Sequence, residues 1–193
     1  MEIEPIKPDR LTEYAKIPMK VTVTSVLSVH AQDGGLGGLK LVETPIETPY
    51  TKDYDATAYG GPAQWPVRFD VAQWGLWIAR TNGCDVGAGA VAWNTPEIPI
   101  LGGRAGLAVL WDIRVRSEHQ GKGIGSRLFQ QAEHWALERN CTLLEIETQN
   151  VNVPACRFYK KMGCVLGRID RMAYADSRDQ NEVMLVWYKD LRR

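Results

Sequence analysis

Hydrophobic and polar residues alternate in short segments along the first half of the chain, and this period of two predicts strands. Asp33-Gly34-Gly35 and Asn82-Gly83 are turn signals between such segments. The four strands predicted here are Val21–Ala31, Leu36–Glu43, Trp74–Arg80 and Val86–Trp93. We therefore expect two hairpins in this half of the protein.

The pattern changes after residue 106, where helical periods alternate with apolar runs. The predicted strands are Leu107–Val115, Leu143–Thr148, Val165–Tyr174 and Val183–Tyr188, and the predicted helices are Gly123–Asn140 and Pro154–Met162. The longer helix carries one apolar stripe, which consists of Ile124, Leu128, Ala132, Trp135 and Ala136. This order of elements predicts an α/β (α+β) fold with a mixed sheet and helices packed on it.

Two segments lack a clear period. Residues 1–20 are polar and are predicted to be an N-terminal extension. Residues 44–73 are predicted to be a loop-rich insertion near the acceptor site, because four prolines interrupt Thr44–Val71. The 193 residues of the whole chain suit a single domain.

Composition argues against several classes of function. Acidic and basic residues balance at 23 each, so no charge bias points to nucleic acid or to a membrane surface. Residues 1–20 lack the apolar stretch of a secretory signal, and no run approaches the roughly 20 apolar residues that span a bilayer. The four cysteines show no metal-ligand pairing. We therefore expect no metal, and free thiols in a reducing cytoplasm.

A glycine-rich turn precedes the longer predicted helix. Its residues are Gln120, Gly121, Lys122, Gly123, Ile124 and Gly125. Glycines let the backbone approach a ligand closely, and the free N–H groups at a helix start can hold an anion such as pyrophosphate. A simple strand–helix turn is the alternative interpretation. The dinucleotide pattern G-x-G-x-x-G and the P-loop are both disfavoured, the latter because Gly123 follows Lys122.

A second motif, Asn152, Ala155, Tyr159 and Gly163, lies on the shorter predicted helix. Because this helix starts near Pro154, Ala155 and Tyr159 share one face. Asn152 precedes the helix, where its amide can bond a ligand or the first N–H groups. Without the glycine-rich turn, Tyr159 would be interpreted as a core aromatic residue with its hydroxyl at the rim.

Together, the two motifs resemble the GNAT acetyltransferases. The phosphate loop of that family has Arg or Gln, then Gly three residues later and Gly or Ala two residues after that, which Gln120, Gly123 and Gly125 match. Its later segment, N-x-x-A-x-x-x-Y-x-x-x-G, is matched in full by the second motif. The resemblance covers residues 74–193.

The resemblance implies a mostly antiparallel sheet in which two parallel strands, Leu107–Val115 and Leu143–Thr148, splay apart. It also implies acetyl-CoA as the cofactor and Tyr159 as the acid that protonates the leaving thiolate. The cofactor-binding residues that it implies are Ile113, Val115, Gln120, Gly121, Lys122, Gly123, Ile124, Gly125, Asn152, Ala155 and Tyr159.

Further segments resemble the streptothricin acetyltransferases, which acetylate an amine on the β-lysine arm of that antibiotic. These segments are Pro49-Tyr50, Lys52-Asp53-Tyr54, Glu147-Thr148-Gln149, Asn152 to Cys156, Ile169-Asp170, Tyr174 and Trp187-Tyr188. The substrate-binding candidates are Tyr50, Asp53, Tyr54, Asp170 and Tyr174, with Trp65 as an additional aromatic wall. The chain departs from that subfamily in one place, because Thr57–Val71 holds only Asp70 where those enzymes carry a dense acidic run.

Acetyl transfer to a primary amine also needs a base, because the amine is mostly ammonium near neutral pH. Glu147 and Asp112 are the candidates, and each could instead be a structural carboxylate paired with an arginine such as Arg114. We place Glu147 ahead, because its apolar neighbours in sequence predict a raised pKa.

The leading hypothesis is an enzyme that acetylates a primary amine of a small cationic molecule, with antibiotic resistance as one role. A non-catalytic acyl-CoA-binding or sensing module and a protein N-acetyltransferase are the alternatives. The acceptor, the acyl chain length and the oligomeric state, a homodimer included, stay open.

Overall fold

The computed structural model describes residues 1–56 and 60–192, and its elements are numbered within that part of the chain. The strands are β1 (Glu2–Pro5), β2 (Lys20–Ala31), β3 (Leu39–Asp53), β4 (Gly75–Thr81), β5 (Cys84–Ala92), β6 (Leu107–Val115), β7 (Leu143–Gln149), β8 (Val165–Asp170) and β9 (Met184–Asp190). The helices are α1 (Leu11–Tyr14), α2 (Trp65–Arg68), α3 (Ile124–Glu138) and α4 (Val153–Lys161). Residues 57–59, which belong to the predicted insertion, and residue 193 lie outside this description.

The chain divides into two compact units, each built from segments that are far apart in sequence. The first unit comprises Met1–Lys20, Asp53–Ile146 and Tyr188–Arg193. The second unit comprises Val21–Lys52 and Glu147–Trp187. The prediction of a single domain stays a prediction.

Antiparallel pairing dominates the sheet of the first unit, where the strands follow the order β1, β4, β5, β6, β7, β9. β1 pairs antiparallel with β4, β4 with β5, and β5 with β6. β6 and β7 pair in parallel, with Leu107 opposite Leu143 and Val109 opposite Glu145. Asn82 and Gly83, between β4 and β5, both have positive φ (51° and 78°), as a two-residue hairpin turn requires. The predicted mixed, mostly antiparallel sheet is therefore confirmed.

Helix α3 buries the apolar stripe that its period of 3.6 predicted. Ile124, Leu128, Ala132, Trp135 and Ala136 are all buried. The helix comes so close to β5 that a Cβ added at Gly87 would lie 3.0 Å from Ile124 Cγ2 and 3.2 Å from Leu128 Cδ1. A glycine on β5 thus permits the close helix–sheet packing that fixes the start of α3.

The prediction that residues 1–20 form a polar extension is wrong. β1 extends the sheet by pairing with β4, Glu2 opposite Arg80. Leu11, Tyr14 and Ile17 are at most 2% exposed and belong to the core. β1 and α1 are four residues long, which is too short for a sustained hydrophobic period to predict them, although Leu11, Tyr14 and Ile17 recur every three positions.

In the second unit, β2 and β3 form a two-stranded sheet of their own. The other strands of this unit are β7, β9 and β8, which are neighbours in that order. The predicted loop at residues 44–53 is wrong, because β3 continues to Asp53 through Pro45 and Pro49. In a sheet of two strands each strand has an outer edge, where a proline without an N–H is tolerated.

Strand β8 is shorter than predicted and ends at Asp170 instead of Tyr174. Asp170 Oδ1 accepts a hydrogen bond from the Met172 N–H at 2.9 Å. This aspartate turn competes with the extended backbone and starts the irregular segment 171–182, which carries Tyr174.

Candidate functional site

The glycine-rich turn of the first unit has the geometry of an anion site. Gly121 and Gly123 have φ of 74° and 81°, and a Cβ added at either would meet no atom within 4 Å. α3 begins directly after Gly123, and no side chain caps its start. Among the described residues, the N–H groups of residues 121–125 have no hydrogen-bond acceptor. The open, uncapped helix start therefore fits a pyrophosphate.

The end of β6 leads into this turn. Ile113 and Val115 are half-buried and pair with Gly89 and Gly87 of β5. Gln120 Nε2 donates to the Val115 carbonyl at 3.2 Å, which anchors the start of the turn to the strand. Upstream, Asp112 lies opposite Ala90 and Leu110 opposite Val91, so the residue between them is a β-bulge.

Asp112 lies in a buried charge network within the first unit. Arg114 Nη2 and Nε lie 2.6 and 2.8 Å from the two oxygens of Asp112, and the Tyr14 hydroxyl donates to the same carboxylate at 2.6 Å. Arg114 also lies 3.0 Å from Asp55 Oδ1 and donates to the Ile17 carbonyl. Burial, with Asp112 beside it, raises the pKa of Tyr14 well above its ordinary value. These contacts are those of the structural carboxylate that the sequence left open as an alternative.

In the second unit, Asn152 caps helix α4. Its side-chain oxygen accepts a hydrogen bond from the Ala155 N–H at 3.2 Å, which is one of the two uses that its position suggested. Tyr159 is 5% exposed and its ring centroid lies 6.4 Å from that of Trp187. Burial raises the pKa of the Cys156 thiol to about 12, so this cysteine is protonated at neutral pH and unsuited to nucleophilic attack.

Glu147 is accessible to solvent and hydrogen-bonded within the second unit. Tyr174 donates to Glu147 Oε1 at 2.8 Å, and Gln149 Nε2 donates to the Tyr174 oxygen at 2.9 Å. Partial burial of the carboxyl group raises its pKa, and the hydrogen bond from Tyr174 opposes part of that shift. The direction is the one that the sequence predicted, although Leu144 and Ile146 point to the opposite face of β7 and Leu143 shares the face of Glu147.

An ion cluster that the sequence did not reveal lies in the same unit. Lys52 Nζ lies 2.6 Å from both oxygens of Glu182 and 3.0 Å from Asp179 Oδ1. Burial raises the pKa of Tyr50, and the Glu182 carboxylate adds to this effect. The partners are 127 and 130 residues apart in sequence, so no local pattern could have paired them.

The other substrate-binding candidates have local partners. Asp53 pairs with Lys20 at 3.3 Å and accepts a hydrogen bond from the Asp55 N–H, and Tyr54 starts the turn after it in the first unit. Asp170 forms the turn described above. Trp65 was predicted as part of an aromatic wall for the substrate, but it is 3% exposed and packs against Tyr14 and Trp74 in the core of the first unit.

Comparison with known proteins identifies the class that these features define. Residues 45–164 match the model of the acetyltransferase (GNAT) family. The chain therefore belongs to the GNAT acetyltransferase family. It is 31% identical to a streptothricin acetyltransferase of Escherichia coli over 94% of this chain and 91% of that protein. Streptothricin acetyltransferase A of Bacillus subtilis (strain 168) is 37% identical, but the match spans 43% of this chain and 48% of that relative.

A solved structure gives the same fold. A Bacillus anthracis str. Ames protein, crystallised in complex with acetyl coenzyme A, superposes with a TM-score of 0.76 and 25% identity, and the match covers 98% of each chain. Among the residues that the structure describes, no helix has the length and apolar character to cross a membrane.

Proposed function

We propose that this chain transfers the acetyl group of acetyl-CoA to a primary amine of a small cationic molecule, with streptothricin as the most specific candidate. The observation that carries the proposal is Glu147, a solvent-accessible carboxylate with a raised pKa. Such a group suits proton removal from an ammonium near neutral pH. Support for the acceptor comes from the relatives named streptothricin acetyltransferase.

The glycine-rich turn and the end of β6 supply binding groups for the cofactor in this proposal. The N–H groups of residues 121–125 hold the pyrophosphate, and backbone groups of Ile113 and Val115 hold the pantetheine arm. Acetyl-CoA, when bound, supplies an acetyl thioester that a neutral amine can attack. Lys122 Nζ donates to the Glu118 carbonyl at 2.9 Å, which keeps this side chain beside the turn.

Glu147 and Tyr159 are the proton-transfer groups of the proposal. Glu147 removes a proton from the acceptor's ammonium, directly or through water, and so makes the nitrogen nucleophilic. The Tyr159 hydroxyl donates a proton to the departing sulfur. Tyr50 lies beside the cluster in which Lys52 pairs with Asp179 and Glu182, and its aromatic ring suits contact with a cationic acceptor.

Coenzyme A is expected to stabilise the protein through the glycine-rich turn. At 100 times its Kd, a ligand adds about 2.7 kcal/mol to the free energy of unfolding, which a thermal-shift assay detects. Gly123→Asp should abolish the shift, because it puts a negative charge where the phosphates bind. Gly83→Asp is the matched control, because Gly83 also has a positive φ (78°) and open space around it. Equal shifts in both variants would refute the phosphate site.

The acceptor is tested by comparing streptothricin with simple diamines and lysine derivatives at low ionic strength, with thiol release as the readout. We expect streptothricin to give a higher kcat/KM than the simple amines, because the chain is similar to relatives named streptothricin acetyltransferase. Equal rates would remove the antibiotic and leave the general acetyltransferase. Thiol release that does not depend on an amine would favour a thioesterase, whereas binding of acetyl-CoA without thiol release would favour a non-catalytic sensing module.

A further inference from the structure

Three polar side chains of the second unit form a chain of hydrogen bonds that ends at Glu147. Glu147 and Gln149 are two residues apart on β7 and therefore project from the same face of the strand. Tyr174 reaches them from the irregular segment 171–182. The Gln149 Nε2 to Tyr174 oxygen distance is 2.9 Å, and the Tyr174 oxygen to Glu147 Oε1 distance is 2.8 Å.

The direction of each hydrogen bond follows from the number of protons. An ionised carboxylate only accepts, so the single hydroxyl proton of Tyr174 points to Glu147. The tyrosine oxygen must then accept from its other neighbour, which has to be the NH₂ group of Gln149. This assignment turns the Gln149 carbonyl oxygen away from the tyrosine.

That carbonyl oxygen is buried and receives no hydrogen bond from any residue in the described part of the chain. A buried acceptor without a donor lowers the stability of a fold. A methionine of similar length would occupy the position without this penalty. Stability alone therefore does not account for glutamine at position 149.

We infer that Gln149 and Tyr174 are positioning residues, which together orient and hold the carboxylate of Glu147 for proton removal. Gln149 occupies the lone pair of the Tyr174 oxygen and thereby directs the hydroxyl proton to Glu147. Tyr174 then fixes the rotamer of the carboxylate and leaves Oε2 for the substrate's proton. The inference rests on the proposed function, and it gives Tyr174 a role that acts through Glu147.

Other charged groups act on this chain of hydrogen bonds. Arg168 of β8 favours the ionised form of Glu147, and Glu182 disfavours ionisation of Tyr174. The charges of Arg168 and Glu182 do not depend on the amide of Gln149, so a substitution at Gln149 leaves both charges in place. The effect of the amide can therefore be separated from theirs.

The direct test is an NMR titration of the Glu147 carboxyl carbon in the free protein, which needs no substrate. Both Tyr174→Phe and Gln149→Met should raise the pKa of Glu147, because each weakens the hydrogen bond to its ionised form. Gln149→Met should in addition keep or raise Tm, because it removes the unsatisfied acceptor. Gln180→Met, an exposed glutamine of segment 171–182, is the matched control and should leave the pKa of Glu147 unchanged.

The kinetic test compares kcat/KM at several pH values with one primary amine. The titration of the amine substrate affects the variant and the wild-type enzyme equally. The ratio of their kcat/KM values at each pH therefore reports only the titration of Glu147. At the acidic end this ratio should fall by about 10-fold in Tyr174→Phe, the loss expected for one hydrogen bond to a charged group. It should fall less in Gln149→Met.

An unchanged pKa of Glu147 in Gln149→Met, or a lowered Tm with no change in pKa, would overturn the inference. A shifted pKa with an unchanged pH profile would also overturn it, because Glu147 would then not be the base. If no amine is acetylated at any pH, the proposed function fails instead, and the NMR titration still decides whether Gln149 and Tyr174 control Glu147.

Discussion

Replacing Glu147 by glutamine is expected to lower kcat by on the order of 10³-fold, within the range that general bases contribute. The amide has nearly the same shape and can still accept a hydrogen bond from Tyr174, but it cannot take a proton from an ammonium. The KM for acetyl-CoA should hardly change. Steady-state kinetics with a primary amine measures both quantities.

The control is Glu43→Gln, which changes a carboxylate of the same unit that pairs with Arg157 and Ser25. This variant should retain full activity. The wild-type enzyme should gain activity as the pH rises through the raised pKa of Glu147, because the base acts in its ionised form. A Glu147→Gln enzyme with wild-type kcat across that range would exclude Glu147 as the base.

Replacing Arg114 by methionine is expected to lower the free energy of unfolding by about 3 to 5 kcal/mol, because it leaves the buried carboxylate of Asp112 without its cation. The Asp112 side chain is 5% exposed and that of Arg114 is 2% exposed, so water cannot replace the lost partner. Urea unfolding followed by tryptophan fluorescence is the measurement, since Trp65 and Trp74 lie in the core of the same unit.

Arg192→Met is the matched control for this prediction. Arg192 pairs with Asp190 at the same sequence spacing of two residues, but its side chain is 69% exposed. Exposed pairs contribute little, so the control should unfold at nearly the wild-type urea concentration. Equal destabilisation of the two variants would mean that the Arg114 network has no special structural role.

Much of the first unit was predictable, because its elements carry sustained local patterns. Helix α3 shows its buried stripe in the sequence, and Asn82-Gly83 marks the turn between β4 and β5. The glycines of the phosphate turn are visible for the same reason, since a positive φ selects glycine at Gly121 and Gly123.

What escaped prediction depends on contacts between distant residues. The pair Tyr14–Asp112 joins residues 98 positions apart, and the ion pair Lys52–Glu182 joins residues 130 apart. The sequence offered Arg114 as a partner for Asp112 but left that pairing open, and the contact between Glu147 and Tyr174 joins residues 27 positions apart. The two candidate bases therefore differ in contacts that the structure shows and the sequence does not.

The central claim is that this chain moves an acetyl group from acetyl-CoA to a primary amine. Acetyl-CoA labelled with ¹³C in the acetyl group tests it most directly, by mass spectrometry and NMR of the products formed with streptothricin. We expect an N-acetylated antibiotic that carries the label and appears in step with free coenzyme A. Release of labelled acetate without an amide product, or no reaction with streptothricin and with the simple diamines and lysine derivatives alike, would contradict it.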